Sequence, residues 1–281
     1  GGDAKRAPGA EAAGAAQRRG WQIFGLAFLF RLQSYVLSGG APLGTLLKVD
    51  ILNIMGLAMV GAAAAWGVAT RDAWRATLLC AIAVALTMLT PIVRASSWLA
   101  VVPDPIEWYL RPFPGRTTFT IFPWAGFLFA GAALGVWLNQ SRTPEAERRL
   151  ILVLAIAGPA IGAAGYAASF LPPIYEQTNF WTSSPTFFFL RLGVLISLVP
   201  LAYAISSWLR PVNERLEYFG RASLFVYWIH VEMVYGVLSA GIDRRLTFEQ
   251  AVLAFALFSV FLFGVAKMKN WLVGPFKTPR D

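Results

Sequence analysis

The chain contains one histidine, His230, and a carboxylate, Glu232, follows two residues later. Both lie in EYFGRASLFVYWIHVEMVYG, residues 217–236, a stretch that is otherwise largely apolar and aromatic. An imidazole titrates near neutrality and is the side chain best suited to take up and release a proton at that pH. Ionisable groups inside an apolar segment are costly, so each marks a functional site by default. Residues two apart on a helix point about 200° away from each other. His230 therefore shares a face with Ser223, Tyr227 and Val234, while Glu232 lies with Trp228 and Tyr235, and the two do not pair within their own helix. Each needs a partner elsewhere, and two readings stay open: a group serving chemistry, or a side chain hydrogen-bonded to a neighbouring helix.

A second constellation is Lys48-Val-Asp-Ile-Leu-Asn53. Asp50 and Asn53 are three apart and share a helix face. They either line a site or cap a helix that opens at Asp50. Arg31 and Arg191 sit inside apolar segments, where a cation needs a carboxylate, a group of carbonyls or an anionic ligand. Arg31 suits a ligand contact or an ion pair with Asp50. Arg191, close to the end of its segment, suits the same cavity or reaches outward along its own stem. Arg111 and Arg116 belong to Pro103-Asp-Pro-Ile-Glu-Trp-Tyr-Leu-Arg-Pro-Phe-Pro-Gly-Arg116, a proline-stiffened stretch that also carries Asp104 and Glu107. Together with Tyr175 and Trp181 it makes either a lid with aromatic faces for a sugar or an ordinary interfacial loop.

The elements that position these residues follow from composition. Of 281 residues, 57% are hydrophobic and 14% charged, and the mean hydropathy is +0.57. Soluble domains carry about 25% charged residues, so an all-α, polytopic transmembrane bundle is expected. Eight spans can be read, at about 21–38, 50–70, 76–93, 121–139, 150–170, 186–208, 222–240 and 251–271. They make one domain, 21–272, between a flexible segment 1–20 and a tail 273–281. Gly131 with Gly135, and Gly158 with Gly162, have the spacing that lets helices approach closely.

The net charge of +9 belongs to loops rather than to a nucleic-acid surface. Sixteen Lys and Arg fall in the N-terminal segment, 71–75, 140–149, 209–221 and the C-terminal end from Lys267, against six in the alternate loops. That bias places both termini in the cytoplasm. The long loop 94–120 and the shorter loop 171–185 then face outward. Cys80 stands alone, so neither a disulfide framework nor a metal cluster is expected. There is no phosphate-binding Gly-rich loop, zinc pattern, Gly-x-Ser-x-Gly elbow or internal repeat.

Four stretches in order carry a family resemblance: Arg18-Arg-Gly-Trp-Gln-Ile-Phe-Gly-Leu-Ala-Phe-Leu-Phe-Arg31, Lys48-Val-Asp-Ile-Leu-Asn-Ile-Met-Gly56, Phe122-Pro-Trp-Ala-Gly-Phe-Leu-Phe-Ala-Gly131 and Phe219-Gly-Arg-Ala-Ser-Leu-Phe-Val-Tyr-Trp-Ile-His230. Over residues 18–265 the chain resembles bacterial membrane proteins with a heparan-α-glucosaminide N-acetyltransferase-like catalytic domain, within the transmembrane acyltransferase superfamily. The resemblance implies a bacterial inner-membrane enzyme that takes an acyl group from acetyl-CoA or another acyl-CoA. The acceptor implied is an amine or hydroxyl of a carbohydrate at the opposite face. Partners are the bilayer, that acceptor and possible further copies of the chain, with no metal and no nucleic acid. Arg31, Asp50, Asn53 and Arg191 then line the cavity, and Arg111 and Arg116 serve the acceptor side. The family's catalytic histidine lies in its first helices, which this chain is expected to lack. His230, with Glu232, then takes a supporting role and the catalytic base is unknown. A transporter of an anionic solute using Arg31 and Arg191, or a non-catalytic membrane protein, is the alternative.

Overall fold

The computed structural model describes residues 8–37, 42–208, 217, 220, 222–235 and 245–273. The chain divides into two compact units, Gly1–Leu201 and Ala202–Asp281, each described by itself.

In the first unit α1 runs Pro8–Leu37, α2 Ile51–Val68, α3 Asp72–Ala95, α4 Asp104–Leu110, α5 Ile121–Gln140 and α6 Pro144–Ala168, and α7, Pro185–Trp208, lies in it as far as Leu201. Short 3-10 turns occupy Leu43–Leu47 and Ser97–Val101. Among the described residues the only pairing of β type is an isolated parallel bridge between Val49 and Thr117. The second unit contains α8, Ser223–Tyr235, and α9, Phe248–Val273, which pack on each other.

Local sequence explains the ends. Thr143 caps α6 through its hydroxyl and Pro144 takes the first position, where its missing N–H costs nothing. Glu145 and Glu147 in the first turn suit the positive end of the helix dipole. Where a flexible segment was expected over residues 1–20, the chain is helical from Pro8 onward. The reason is propensity: Ala, Glu, Gln and Arg dominate residues 10–19, and these are the strongest helix formers. Residues 1–7 and 274–281 lie outside the described residues.

Among the described residues six helices are long and apolar enough to cross a membrane, namely α2, α3, α5, α6, α7 and Phe248–Lys269 of α9. This is fewer than the eight spans expected. Gln22, Arg31 and Gln33 dilute the apolar half of α1. The described part of the seventh expected span is the 13-residue α8, and residues 236–240 lie outside the described set. Large side chains such as Ile156, Phe255 and Val260 are exposed on these helices, as a hydrocarbon environment allows.

The core of the first unit lies between α2, α3 and α5, where Ile54, Ala58, Leu79, Ala83, Ala125, Phe129 and Val136 are buried. Its residues are mostly small. Association of helices in lipid depends on close packing rather than on water exclusion. The two tightest approaches show this. Gly20 of α1 faces Gly56 of α2, where an added Cβ would sit 2.8 Å from the opposing carbonyl. Gly193 of α7 presses on the backbone of Gly158 and Gly162 in α6, leaving no room for a side chain. The Gly158–Gly162 spacing thus packs helices as expected. The Gly131–Gly135 spacing does not. A Cβ at either would meet open space, and both line a crevice of about 570 Å³ with Ala12, Ala62, Trp66 and Leu128.

The long loop is also more ordered than its composition implied. It contains the Ser97–Val101 turn and α4. It is then pinned to the entry of α2, because Val49 N–H donates to Arg116 O at 2.9 Å and Thr118 N–H donates to Val49 O at 3.1 Å.

Candidate functional site

Several polar residues of the first unit meet where α2 begins. Asp50 has extended backbone geometry and caps α2 in a capping box. Its Oδ1 accepts from Ile51 N–H at 2.6 Å, and its own N–H donates to Asn53 Oδ1 at 2.9 Å. The other carboxylate oxygen, Oδ2, accepts from Arg31 Nη2 at 2.8 Å. The sequence left cap and site open for Asp50 and Asn53; geometrically they form the cap. Arg31 makes the ion pair that its position allowed.

Asn53 is only 1% exposed, so its amide needs partners on every side. Oδ1 is occupied by the Asp50 N–H, and the side chain also hydrogen-bonds Tyr109 of α4. Burial pushes the Tyr109 phenol above its ordinary value, and the weaker opposing influence is that bond from Asn53. The set Arg31, Asp50, Asn53 and Tyr109 therefore ties α1, α2 and α4 together through side chains. Nothing in the spacing of the sequence pointed to Tyr109; its only signal was an aromatic hydroxyl within a loop rich in charges and prolines.

The arginines of the long loop lie beside this network. Arg111 pairs with Glu107, four residues earlier on α4, and Glu107 is buried. Arg116 sits with its guanidinium 5.4 Å from the Trp108 ring centroid and in contact with the Gly44 position. Trp108 Nε1 and Arg31 Nε are buried without a hydrogen-bond partner. These are donors poised for an acceptor group or water. Arg94, assigned to the loop from sequence, is in the last turn of α3. It donates to Thr120 Oγ1 at 3.2 Å and to the Phe122 carbonyl at 3.0 Å. That carbonyl is available because Phe122 has non-helical backbone angles before Pro123.

Arg191 lies in α7 over the Phe187 ring at 4.0 Å and the Trp124 ring at 5.4 Å. Tyr175 does not join the long loop through its hydroxyl; that group donates to Met88 O of α3 at 2.8 Å. Trp181 packs edge-on to Phe180 and Phe187. Beside them is a cavity of about 470 Å³, lined by Met88, Gly165, Pro172, Tyr175, Thr186 and Phe189 among others. Its wall is mostly apolar with a few hydroxyls, the usual character of a small-molecule site.

In the second unit His230 and Glu232 are half-buried on α8, and the His230 ring lies 6.1 Å from that of Phe258 on α9. The helical backbone over Ser223–Tyr235 keeps the two side chains on different faces.

A bundle of apolar helices with a polar, loop-covered end defines an integral multi-pass membrane protein. A profile of the acyltransferase domain family matches residues 47–268, most of the chain. The chain therefore belongs to this family of transmembrane acyltransferases. The match takes in Asp50, Asn53, Arg111, Arg116, Arg191, His230 and Glu232 and leaves Arg31 outside. No curated protein and no solved structure matches the chain.

Proposed function

We propose that this chain moves an acyl group from acyl-CoA, acetyl-CoA above all, to an amine or hydroxyl of a sugar-like acceptor across a bacterial inner membrane. The match to the acyltransferase domain over residues 47–268 carries the reading. Counting α1 and α8 among the spans gives eight, with both termini cytoplasmic.

The physical demands are three. First, the CoA phosphates need cations at the cytoplasmic end. Arg71 before α3, Arg142 before α6 and Arg148 and Arg149 on its first turns are exposed. Exposed arginines form bidentate hydrogen bonds to phosphate without first losing a partner.

Second, the acceptor needs a polar surface at the other end. Arg111 and Arg116 supply it in this reading. Because Arg31 is already neutralised by Asp50, its part is to fix the wall of the cavity, together with Asn53. An anionic-solute transporter would need Arg31 free, so the ion pair favours the enzyme.

Third, a base must take the acceptor proton as its nitrogen or oxygen bonds to the thioester carbonyl carbon. The carbon–sulfur bond then breaks, and the CoA thiolate leaves and takes up a proton. His230 and Glu232 support this step from α8, and the base itself is unassigned.

The test is incubation of the purified chain, and of its longer natural form where one exists, with radiolabelled acetyl-CoA and a panel of amino sugars and lipid-linked sugars. Label in at least one sugar product is the expected result. Absence of transfer to every acceptor, from protein shown to be folded, would contradict the reading.

A further inference from the structure

Arg191 differs from the other half-buried arginines that the helices hold. Arg31 faces Asp50, Arg75 faces Asp72, and Arg94 donates to a hydroxyl and a carbonyl. Among the described residues no ion pair and no hydrogen bond reaches Arg191. It nonetheless stands six positions into α7, a helix long and apolar enough to span a membrane, and is half-buried there.

What holds it is aromatic. The rings of Phe187 and Trp124 flank the guanidinium at 4.0 and 5.4 Å. Trp124 is in turn braced by Phe119, at 4.7 Å between centroids, and Phe187 by Phe180 and Trp181, at 4.9 and 5.0 Å. Stacking engages the flat face of a guanidinium and leaves its five N–H groups pointing outward from the edge. Ring stacking offsets only part of the cost of half-burying a cation on an apolar helix. The geometry that satisfies the rest is an oxyanion accepting two parallel N–H bonds.

We propose that Arg191 binds an oxyanion, a carboxylate or phosphate ester, carried by the sugar-like acceptor, with Trp124 as the surface against which the sugar ring lies. The acceptor is thereby an acidic sugar. Naming it the acceptor rests on the acyltransferase reading; the oxyanion site itself does not.

The experiment reads tryptophan fluorescence of the full chain in zwitterionic nanodiscs, titrated with glucuronate, glucose 1-phosphate and glucose. At least one charged sugar binds tenfold or more tightly than glucose. Arg191→Gln removes that preference, Arg191→Lys keeps part of it, and Trp124→Phe weakens charged and neutral sugars alike by a few-fold. The lysine variant separates loss of the fork from loss of the fold, and thermal unfolding checks both. Equal binding of charged and neutral sugars, no binding of either charged sugar, or a preference that survives Arg191→Gln overturns the proposal. So does loss of charged-sugar binding when anionic lipid is added, since the site then belongs to a lipid headgroup. Acyl transfer by a preparation that shows no charge preference overturns this inference alone; charge preference without any transfer overturns the enzyme reading alone.

Discussion

Arg31 of α1 and Asp50 at the start of α2 meet at 2.8 Å, with each side chain only 15% exposed. The same carboxylate caps α2, so a single group fixes both the helix start and the seat of α1 against it. Removing one partner of a largely buried pair strands the other charge, at about 3–5 kcal/mol when burial is complete. Here some solvent remains and a cap worth about 1 kcal/mol is also lost. Asp50→Ala is expected to destabilise by about 2–4 kcal/mol. Asp50→Asn, which keeps a capping oxygen, should cost less. Thermal unfolding of Arg31→Ala, Asp50→Ala and the double variant forms a cycle. Additive losses would show that the pair is uncoupled.

Tyr109 is the third anchor of that network. Tyr109→Phe leaves the buried Asn53 amide short of a partner, at a cost of about 1–3 kcal/mol. The phenol is raised by burial, so the folded chain holds its proton more tightly than the unfolded chain does. Its contribution is fully present below the ordinary phenol range and is lost as pH rises through the folded value. The stability difference between the native chain and Tyr109→Phe should therefore be constant near neutrality and shrink in strong alkali. A difference that grew with pH would contradict the assignment.

Glycine contacts give a paired prediction. Gly193→Val places a branched side chain on the Gly162 backbone, where no neighbour can yield, and should prevent stable packing of α6 on α7. Gly131→Ala meets open space and should be neutral or slightly stabilising through helix propensity, by less than about 1 kcal/mol. Membrane-fraction yield and detergent unfolding read both. Equal behaviour of the two variants would refute the packing.

These contrasts also show what the sequence made legible. Apolar length located α2, α3, α5, α7 and most of α9 to within a few residues, because a membrane span is a long one-dimensional signal; α6 starts six residues before its expected span, at Pro144, where its first turns are charged. The Asp50–Asn53 spacing contained the cap, a local interaction within four residues. Partners far apart in the chain carry no such period. Tyr109 meets Asn53 across more than fifty residues, and Gly20 meets Gly56 from separate helices. The spacing of Gly131 and Gly135 is indistinguishable from that of Gly158 and Gly162, yet only the second pair faces another backbone. What stands opposite a helix face, rather than the pattern on it, decides the outcome. For the same reason the aromatic seat of Arg191, built from α5 and α7, could not be read from the residues around it.

The exposed arginines give a kinetic prediction. Arg148→Glu with Arg149→Glu should raise KM for acetyl-CoA by about tenfold or more at low salt, with kcat little changed, because ground-state phosphate contacts are lost. The difference should shrink as ionic strength rises. An unchanged KM would remove this end of α6 from the CoA site.

Transfer across the bilayer is the central claim. The most direct measurement places the chain in sealed proteoliposomes of known orientation, with radiolabelled acetyl-CoA at the face carrying Arg148 and Arg149 and an amino or acidic sugar enclosed at the other. Labelled acetyl-sugar inside the vesicles is the predicted result. Folded, correctly oriented protein that leaves every enclosed sugar unlabelled would contradict it.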